Sequence, residues 1–143
     1  MGYLTEAMEH LKLLARNFHD YDDEYIMQLL LVEIGIPAGR KGYDYAVDAI
    51  LLYYQTEKRY LTKEIYPAIS KKNGIYVRPV QVEGGIRKAV ESAYKHRDLV
   101  WNCYFPEEKK PTNTEFIARM ALILKMWHDC CKMETSGIRR DEY

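Results

Sequence analysis

Residues 62–96 decide the fold, and they read TKEIYPAISKKNGIYVRPVQVEGGIRKAVESAYKH. Apolar residues recur at helical spacing over 62–72 and again over 79–96, so two helices are predicted. Asn73-Gly74 ends the first helix because both residues tolerate positive φ, and Pro79 suits the first turn of the second. Two helices joined by a short glycine-containing turn form the helix-turn-helix pattern.

The second predicted helix separates apolar from polar residues. The residues expected to point into a core are Val82, Ile86, Ala89, Val90 and Ala93, and those expected on the opposite face are Gln81, Gly84, Arg87, Lys88, Glu91 and Lys95. Such a helix fits the major groove of DNA, where its N-terminal side chains reach base edges. The pattern alone is weak evidence, because helix-turn-helix geometry also occurs in all-α proteins that do not touch DNA.

On both sides of this stretch, apolar residues recur at helical spacing in almost every segment of the chain. Helices are predicted over 3–18, 24–34 and 43–60, and a last long helix follows a loop at 98–111. Thr62 is the predicted N-cap of the first helix of the pair, whereas Pro67 predicts a kink or a late start there. Thr112 and Glu115 predict a capping box for the last helix. The expected fold class is a compact all-α domain of about six helices, with an extra N-terminal helix.

Three parts of the chain are expected. Residues 1–24 form an amphipathic helix and an acidic turn, residues 25–128 the helix-turn-helix domain, and residues 129–143 a polar C-terminal tail that frays from Thr135. The apolar stripe of the first helix needs a partner, and both core packing and dimerisation remain open. The acidic turn is interpreted as a solvated cap for the next helix rather than as a phosphorylation site.

The net charge of zero results from an acidic N-terminal part and a basic central part whose charges cancel. The chain has 21 Lys+Arg and 21 Asp+Glu, yet residues 1–34 hold seven acidic and two basic residues, while residues 58–97 hold ten basic and three acidic residues. A local excess of positive charge over the helix-turn-helix is the electrostatic footprint of a nucleic-acid binder. Neutrality of the whole chain therefore does not argue against DNA.

Other classes of function find little support. The four histidines are scattered, and no nucleophile–base pair, paired carboxylates or phosphate loop has a credible spacing, so an enzyme is not expected. The three cysteines lack zinc-site spacing and are interpreted as reduced thiols, so neither a metal nor a cofactor is expected. No apolar run reaches the ~20 residues of a membrane helix, and no signal pattern is present, which predicts a cytoplasmic protein without membrane contact.

Several separated blocks of sequence indicate a family. In chain order they are EIGIPA (33–38) with KGY (41–43), YPAI (66–69) with Lys71-Lys72, VE (82–83) with IR (86–87) and Ala89, and KPTNTEFIA (110–118). From about residue 29 to residue 127 the chain resembles the DNA-binding effector domains of the sporulation-initiation response regulators. The resemblance implies a six-helix domain that binds double-stranded promoter DNA as a head-to-tail pair and contacts RNA polymerase.

The resemblance also implies roles for individual residues. Glu83 would accept a hydrogen bond from a cytosine amino group, Arg87 would contact guanine or phosphate, and Lys88 replaces a histidine as a phosphate partner. Gln81 and Gly84 stand where the family has arginines, and each lost arginine–guanine contact removes roughly 1–3 kcal/mol of discrimination. The segment with Arg97, Leu99 and Trp101 lies roughly where the family contacts the polymerase sigma subunit, although packing of Trp101 in the core is the favoured interpretation.

The leading hypothesis is a DNA-binding transcriptional regulator. Arg87 and Glu83 would read bases, and the cations expected to hold phosphate are Lys71, Lys72, Arg78, Lys88 and Lys95. The family joins this domain to a receiver, for which residues 1–28 are too short, so a stand-alone effector or a fragment is expected. The alternative is a receiver-less protein-interaction module that pairs with the full-length regulator or with RNA polymerase without reading bases. Gly84-Gly85 is consistent with either close approach to DNA or loss of DNA reading.

Overall fold

The computed structural model describes residues 5–56 and 60–141, with side chains described as far as residue 135. These residues form seven α-helices and one π-helical turn, in chain order α1 Thr5–Phe18, α2 Asp23–Glu33, α3 Lys41–Gln55, the π-turn Leu61–Ile65, α4 Tyr66–Asn73, α5 Pro79–Lys95, α6 Leu99–Tyr104 and α7 Asn113–Asp141. No strand occurs in the described ranges. The predicted all-α class is confirmed.

α3 and α7 form the centre of the fold. α3 packs against α2, α4, α5 and α7, and α7 also packs against α1 and α5. The largest fully buried side chains, Trp101, Trp127, Tyr104 and Phe116, come from α6 and α7. The predicted inner face of the last helix is confirmed, since its members Phe116, Met120, Ile123, Leu124 and Trp127 are all buried.

α1 is part of this same core. Its Ala7 and Leu11 are fully buried, and the helix packs against α7 and α6. His10 is hydrogen-bonded through Nδ1 to the Tyr104 hydroxyl and through Nε2 to Glu33 Oε2 at 2.9 Å, which joins α1 to α6 and α2. The apolar stripe of α1 is therefore buried within the chain, which favours the packing alternative. Leu4 of the predicted stripe lies outside the described residues.

The acidic turn before α2 acts as a cap, as predicted. The Asp22 carboxylate accepts a hydrogen bond from the Tyr25 backbone N–H at 2.9 Å, and Asp23 lies in the first helical turn. Asp23 also pairs with His128 Nε2 of α7 at 2.7 Å. The carboxylates at this turn therefore satisfy helix N–H groups and join α2 to α7.

The start of α4 corrects one prediction and confirms another. Thr62 is not an N-cap, because it lies inside the π-turn, where the Ile65 N–H bonds to the Tyr60 carbonyl at 3.2 Å. Pro67 has no backbone N–H and its ring crowds the preceding turn, so a regular helix cannot run through it from residue 62. The chain instead makes wider π-type bonds and begins α4 at Tyr66, which is the predicted late start.

Three other boundaries differ from prediction. α3 ends at Gln55 instead of residue 60, and residues 57–59 lie outside the described residues. The predicted loop at 98–111 contains the short helix α6, which begins because the Asp98 carboxylate accepts from the Val100 N–H at 3.1 Å. α7 continues through the predicted polar tail to Asp141, and Cys130 in that segment is buried in the core.

Candidate nucleic-acid interface

The helix-turn-helix consists of α4, a turn at residues 74–78, and α5. Gly74 has φ of 107°, a left-handed conformation that favours glycine, and its carbonyl accepts from the Val77 N–H at 3.2 Å. The Ser70 hydroxyl donates to the Val77 carbonyl and ties the turn to α4. The sequence identified both the glycine and the position of this turn.

α7 fixes the two helices of the motif relative to each other. The Asn113 side-chain amide donates to the Glu83 carbonyl of α5 at 3.1 Å and to the Tyr66 hydroxyl of α4 at 3.0 Å. The predicted capping box holds this helix start, because Glu115 accepts from the Thr112 N–H and Thr112 Oγ1 accepts from the Glu115 N–H. The bridging role of Asn113 was not visible in the sequence.

The faces of α5 match the prediction. The five residues predicted to point inward, Val82, Ile86, Ala89, Val90 and Ala93, are all buried. Gln81, Arg87, Lys88 and Lys95 are exposed, and Gly84 and Glu91 are partly exposed. Apart from the exposed Val80 in its first turn, the helix therefore presents a polar strip outward.

Gln81, the first polar residue of this strip, takes part in a capping interaction. The Gln81 side-chain carbonyl accepts a hydrogen bond from the Arg78 N–H at 2.7 Å, and Pro79 occupies the first helical turn. One otherwise unpaired donor at the helix N-terminus is thereby satisfied. Gln81 thus stabilises the start of α5, whereas the resemblance placed it among base-reading positions.

Glu83 and Arg87 are paired with each other. Arg87 Nη1 donates to both carboxylate oxygens of Glu83, at 2.7 and 2.8 Å. The network continues from Arg87 Nε to Glu91 at 3.9 Å and from Glu91 to Lys110 Nζ at 3.1 Å. An exposed pair of this spacing contributes only about 0.3–0.5 kcal/mol, so either side chain is readily released to a ligand.

The two neighbouring glycines have different roles. A side chain at Gly85 would meet the Tyr45 ring at 3.1 Å and the Gly42 Cα at 3.5 Å, because α3 and α5 cross here at close range. A Cβ at Gly84 would meet only Arg87 Nη2, at 3.7 Å. Gly85 therefore lies at a tight helix crossing, where an added Cβ would have to displace the Tyr45 ring by a few tenths of an ångström, whereas position 84 is open.

Cations surround the N-terminal half of α5. A shallow groove across its outer face is lined by Tyr45, Tyr76, Val77, Val80, Gln81, Gly84 and Gly85 together with Lys41, Arg87 and Lys88. Among the described residues that line this groove, three are cations and none is a carboxylate. Lys41 was not among the predicted residues, and its proximity follows from the contact between Gly42 and Gly85.

The remaining predicted cations are spread around the motif. Lys71, Arg78 and Lys95 are exposed, and Lys72 pairs with Asp48 of α3 at 3.0 Å. In the segment expected to contact polymerase, Arg97 lies over the Tyr94 ring at 4.1 Å and Leu99 is exposed. Trp101 is fully buried and stacks on Phe105, so it is a core residue and is not available as a contact.

The cysteines and histidines do not converge on a site. Burial raises the pKa of the Cys131 thiol to about 11, assisted by neighbouring Cys130, and burial also raises the pKa of the Cys103 thiol. Among the residues that the structure describes, no three His, Cys, Asp or Glu side chains are grouped so as to hold a metal ion. In the same residues, no helix combines the length and the apolar character needed to cross a membrane.

An all-α body, a hydrogen-bonded helix-turn-helix and a cation-lined outer face on its second helix define a helix-turn-helix DNA-binding domain. The model of a known family, described as the sporulation initiation factor Spo0A C terminal, matches residues 26–124. The chain belongs to this family of sporulation-regulator DNA-binding effector domains, which act in transcription regulation. The match begins in α2 and ends within α7, so α1 lies outside it.

Proposed function

We propose that this protein regulates transcription by placing α5 in the major groove of double-stranded DNA. The observation that carries the proposal is the groove over the outer face of α5, whose described lining residues include the cations Lys41, Arg87 and Lys88 and no carboxylate, while Arg87 pairs with Glu83 outside that lining. A polyanion is the partner that such a surface fits best. The helix N-terminus, where side chains reach base edges in helix-turn-helix proteins, lies in this same groove.

Bases and phosphates are contacted by different residues in this proposal. Arg87 reads guanine and Glu83 accepts from cytosine once their mutual pair opens. Opening that pair costs about 0.5 kcal/mol, whereas a bidentate arginine–guanine contact is worth about 1–3 kcal/mol, so the exchange is favourable on the right sequence. The cations assigned to phosphate are Lys41, Lys71, Lys72, Arg78, Lys88 and Lys95.

Lys88→Ala is expected to weaken duplex binding several-fold and to lower the salt dependence. Loss of one phosphate contact reduces the slope of log affinity against log salt by about 1. The matched control is Lys125→Ala, which removes the same charge from an exposed position beside Tyr53 and Tyr54, on a different surface of the protein. Fluorescence anisotropy of a labelled duplex at several salt concentrations measures both variants. Equal effects of the two substitutions, or binding that does not respond to salt, would contradict the proposal.

A protein-interaction module remains the second candidate, because two base-reading positions offer little to DNA. Gln81 is engaged in capping α5, and Gly84 has no side chain. In that case the domain pairs with a full-length regulator or with RNA polymerase and reads no bases. Exposed Arg97 and Leu99 are then the proposed polymerase contacts, and the head-to-tail pairing implied by the family serves protein association.

Selection from a random duplex pool separates the two candidates. The double variant Gln81→Arg, Gly84→Arg loses a capping contact and gains helix propensity, each worth about 1 kcal/mol, so its stability is expected to stay near that of the parent. We expect the parent to enrich one motif and the double variant to enrich another, with guanine preferred about tenfold at the added positions. Enrichment by the double variant alone would support the interaction module.

A further inference from the structure

Large apolar side chains are exposed together where α5 begins. Ile75 is 89% exposed and Tyr76 is 88% exposed in the turn, and Val80 is 63% exposed in the first turn of α5. Tyr76 and Val80 both line the groove that contains Lys41, Arg87 and Lys88. An apolar surface is therefore embedded in the basic face that the proposed function assigns to DNA.

Helical spacing places this apolar surface on the reading strip. Val80, Gly84 and Arg87 follow each other at intervals of four and three residues, so their positions lie on one face of α5. Because Gly84 has no side chain and a Cβ there would approach only Arg87, a hollow lies beside Val80. A base edge can approach Val80 through this hollow without a steric obstacle.

The polar group nearest to Val80 is already engaged. Gln81 caps the helix and Gly84 has no side chain, so Val80 is what the first turn of α5 offers to a base. In the major groove, the C5 methyl of thymine is the base feature that apolar side chains contact. The surrounding cations favour DNA over an apolar protein surface, because the interior of a protein interface is depleted of charge.

We propose that Val80, supported by Tyr76, selects thymine by contact with its C5 methyl group. This inference rests on the proposed docking of α5 in the major groove. It assigns a specificity-determining residue to a position that carries no polar group. It also gives a recognition helix with glutamine and glycine at two of the arginine positions of the resemblance a source of sequence selectivity.

The test replaces each thymine of a selected duplex, one at a time, by deoxyuridine, which removes only the methyl group. We expect one or two of these replacements to weaken binding of the parent about fourfold, the factor that corresponds to one buried methyl group. In Val80→Ala the same replacements are expected to have no effect. Leu99→Ala, an exposed apolar truncation on α6, is the control and is expected to keep the fourfold difference.

Three results would overturn the inference, and they are distinguishable. Salt-dependent duplex binding that is insensitive to every deoxyuridine replacement, or a difference that persists in Val80→Ala, overturns methyl recognition and leaves the proposed docking intact. The apolar surface would then belong to a protein contact. Absence of duplex binding at low salt overturns the proposed function and the methyl contact together. Circular dichroism of the variants shows that each one is folded.

Discussion

Gly42→Ala is expected to lower the free energy of unfolding by about 3 kcal/mol, the upper end of the usual cost of overpacking. A Cβ at this position would lie 2.9 Å from the Gly85 carbonyl carbon and closer still to its oxygen. Both are backbone atoms within the interior of α5, so they cannot move aside as a flexible side chain would. The added methyl must therefore separate α3 from α5. Urea denaturation followed by circular dichroism measures the change.

Gly84→Ala is the matched control for this substitution. It adds the same methyl group to an open position and is expected to raise the free energy of unfolding by up to about 1 kcal/mol, through helix propensity. A loss of less than about 1 kcal/mol in Gly42→Ala, below the ordinary range for overpacking, would contradict the close crossing of α3 and α5. If Gly84→Ala lowered the free energy of unfolding as much as Gly42→Ala does, glycine would be needed at position 84 as well.

Leu11→Ala is expected to lower the free energy of unfolding by about 3 kcal/mol, as large-to-small substitutions in a packed core do. Leu11 is fully buried, and α1 packs on α7 and α6. Leu13→Ala removes the same atoms from a side chain that is 56% exposed, and its expected effect stays within about 0.5 kcal/mol. Thermal and urea unfolding at several protein concentrations measure both variants.

The concentration series separates packing from dimerisation. Burial of α1 within the chain predicts unfolding midpoints that do not depend on protein concentration for the parent or for either variant. A midpoint that rises with concentration in the parent and is lowered by Leu13→Ala would show that α1 serves an interface between copies. That outcome would overturn the assignment of α1 to the core of a single chain.

The sequence predicted several features that a single helix determines, although it misplaced the cap at Thr62 and missed α6. The inward residues of α5 and α7, the capping box at Thr112 and Glu115, and the cap before α2 were all predicted correctly. Each depends on contacts within a few residues along the chain, so helical spacing and capping chemistry report them directly. The effect of Pro67 was also predictable, because proline constrains its own backbone wherever it stands.

Features that depend on two helices were not predictable. The tight packing at Gly85 arises from α3, and the presence of Lys41 beside α5 has the same origin. The bridge from Asn113 to Glu83 joins residues 30 positions apart. The pairing of Glu83 with Arg87 has the favourable helical spacing of four residues, so that signal was available in the sequence. The glycine pair shows the general difficulty, since identical neighbours have different reasons to be glycine.

The family match and the folding unit have different extents. The match stops at residue 124, yet Trp127 and Cys130 are buried beyond it, and Leu11 is buried before its start at residue 26. His10 connects α1 to Glu33 within the matched region and to Tyr104 on α6. A polypeptide trimmed to the match would lose part of its own interior and expose apolar surface. We therefore expect a polypeptide limited to residues 26–124 to be less stable than one that keeps α1 and the buried part of α7 beyond residue 124.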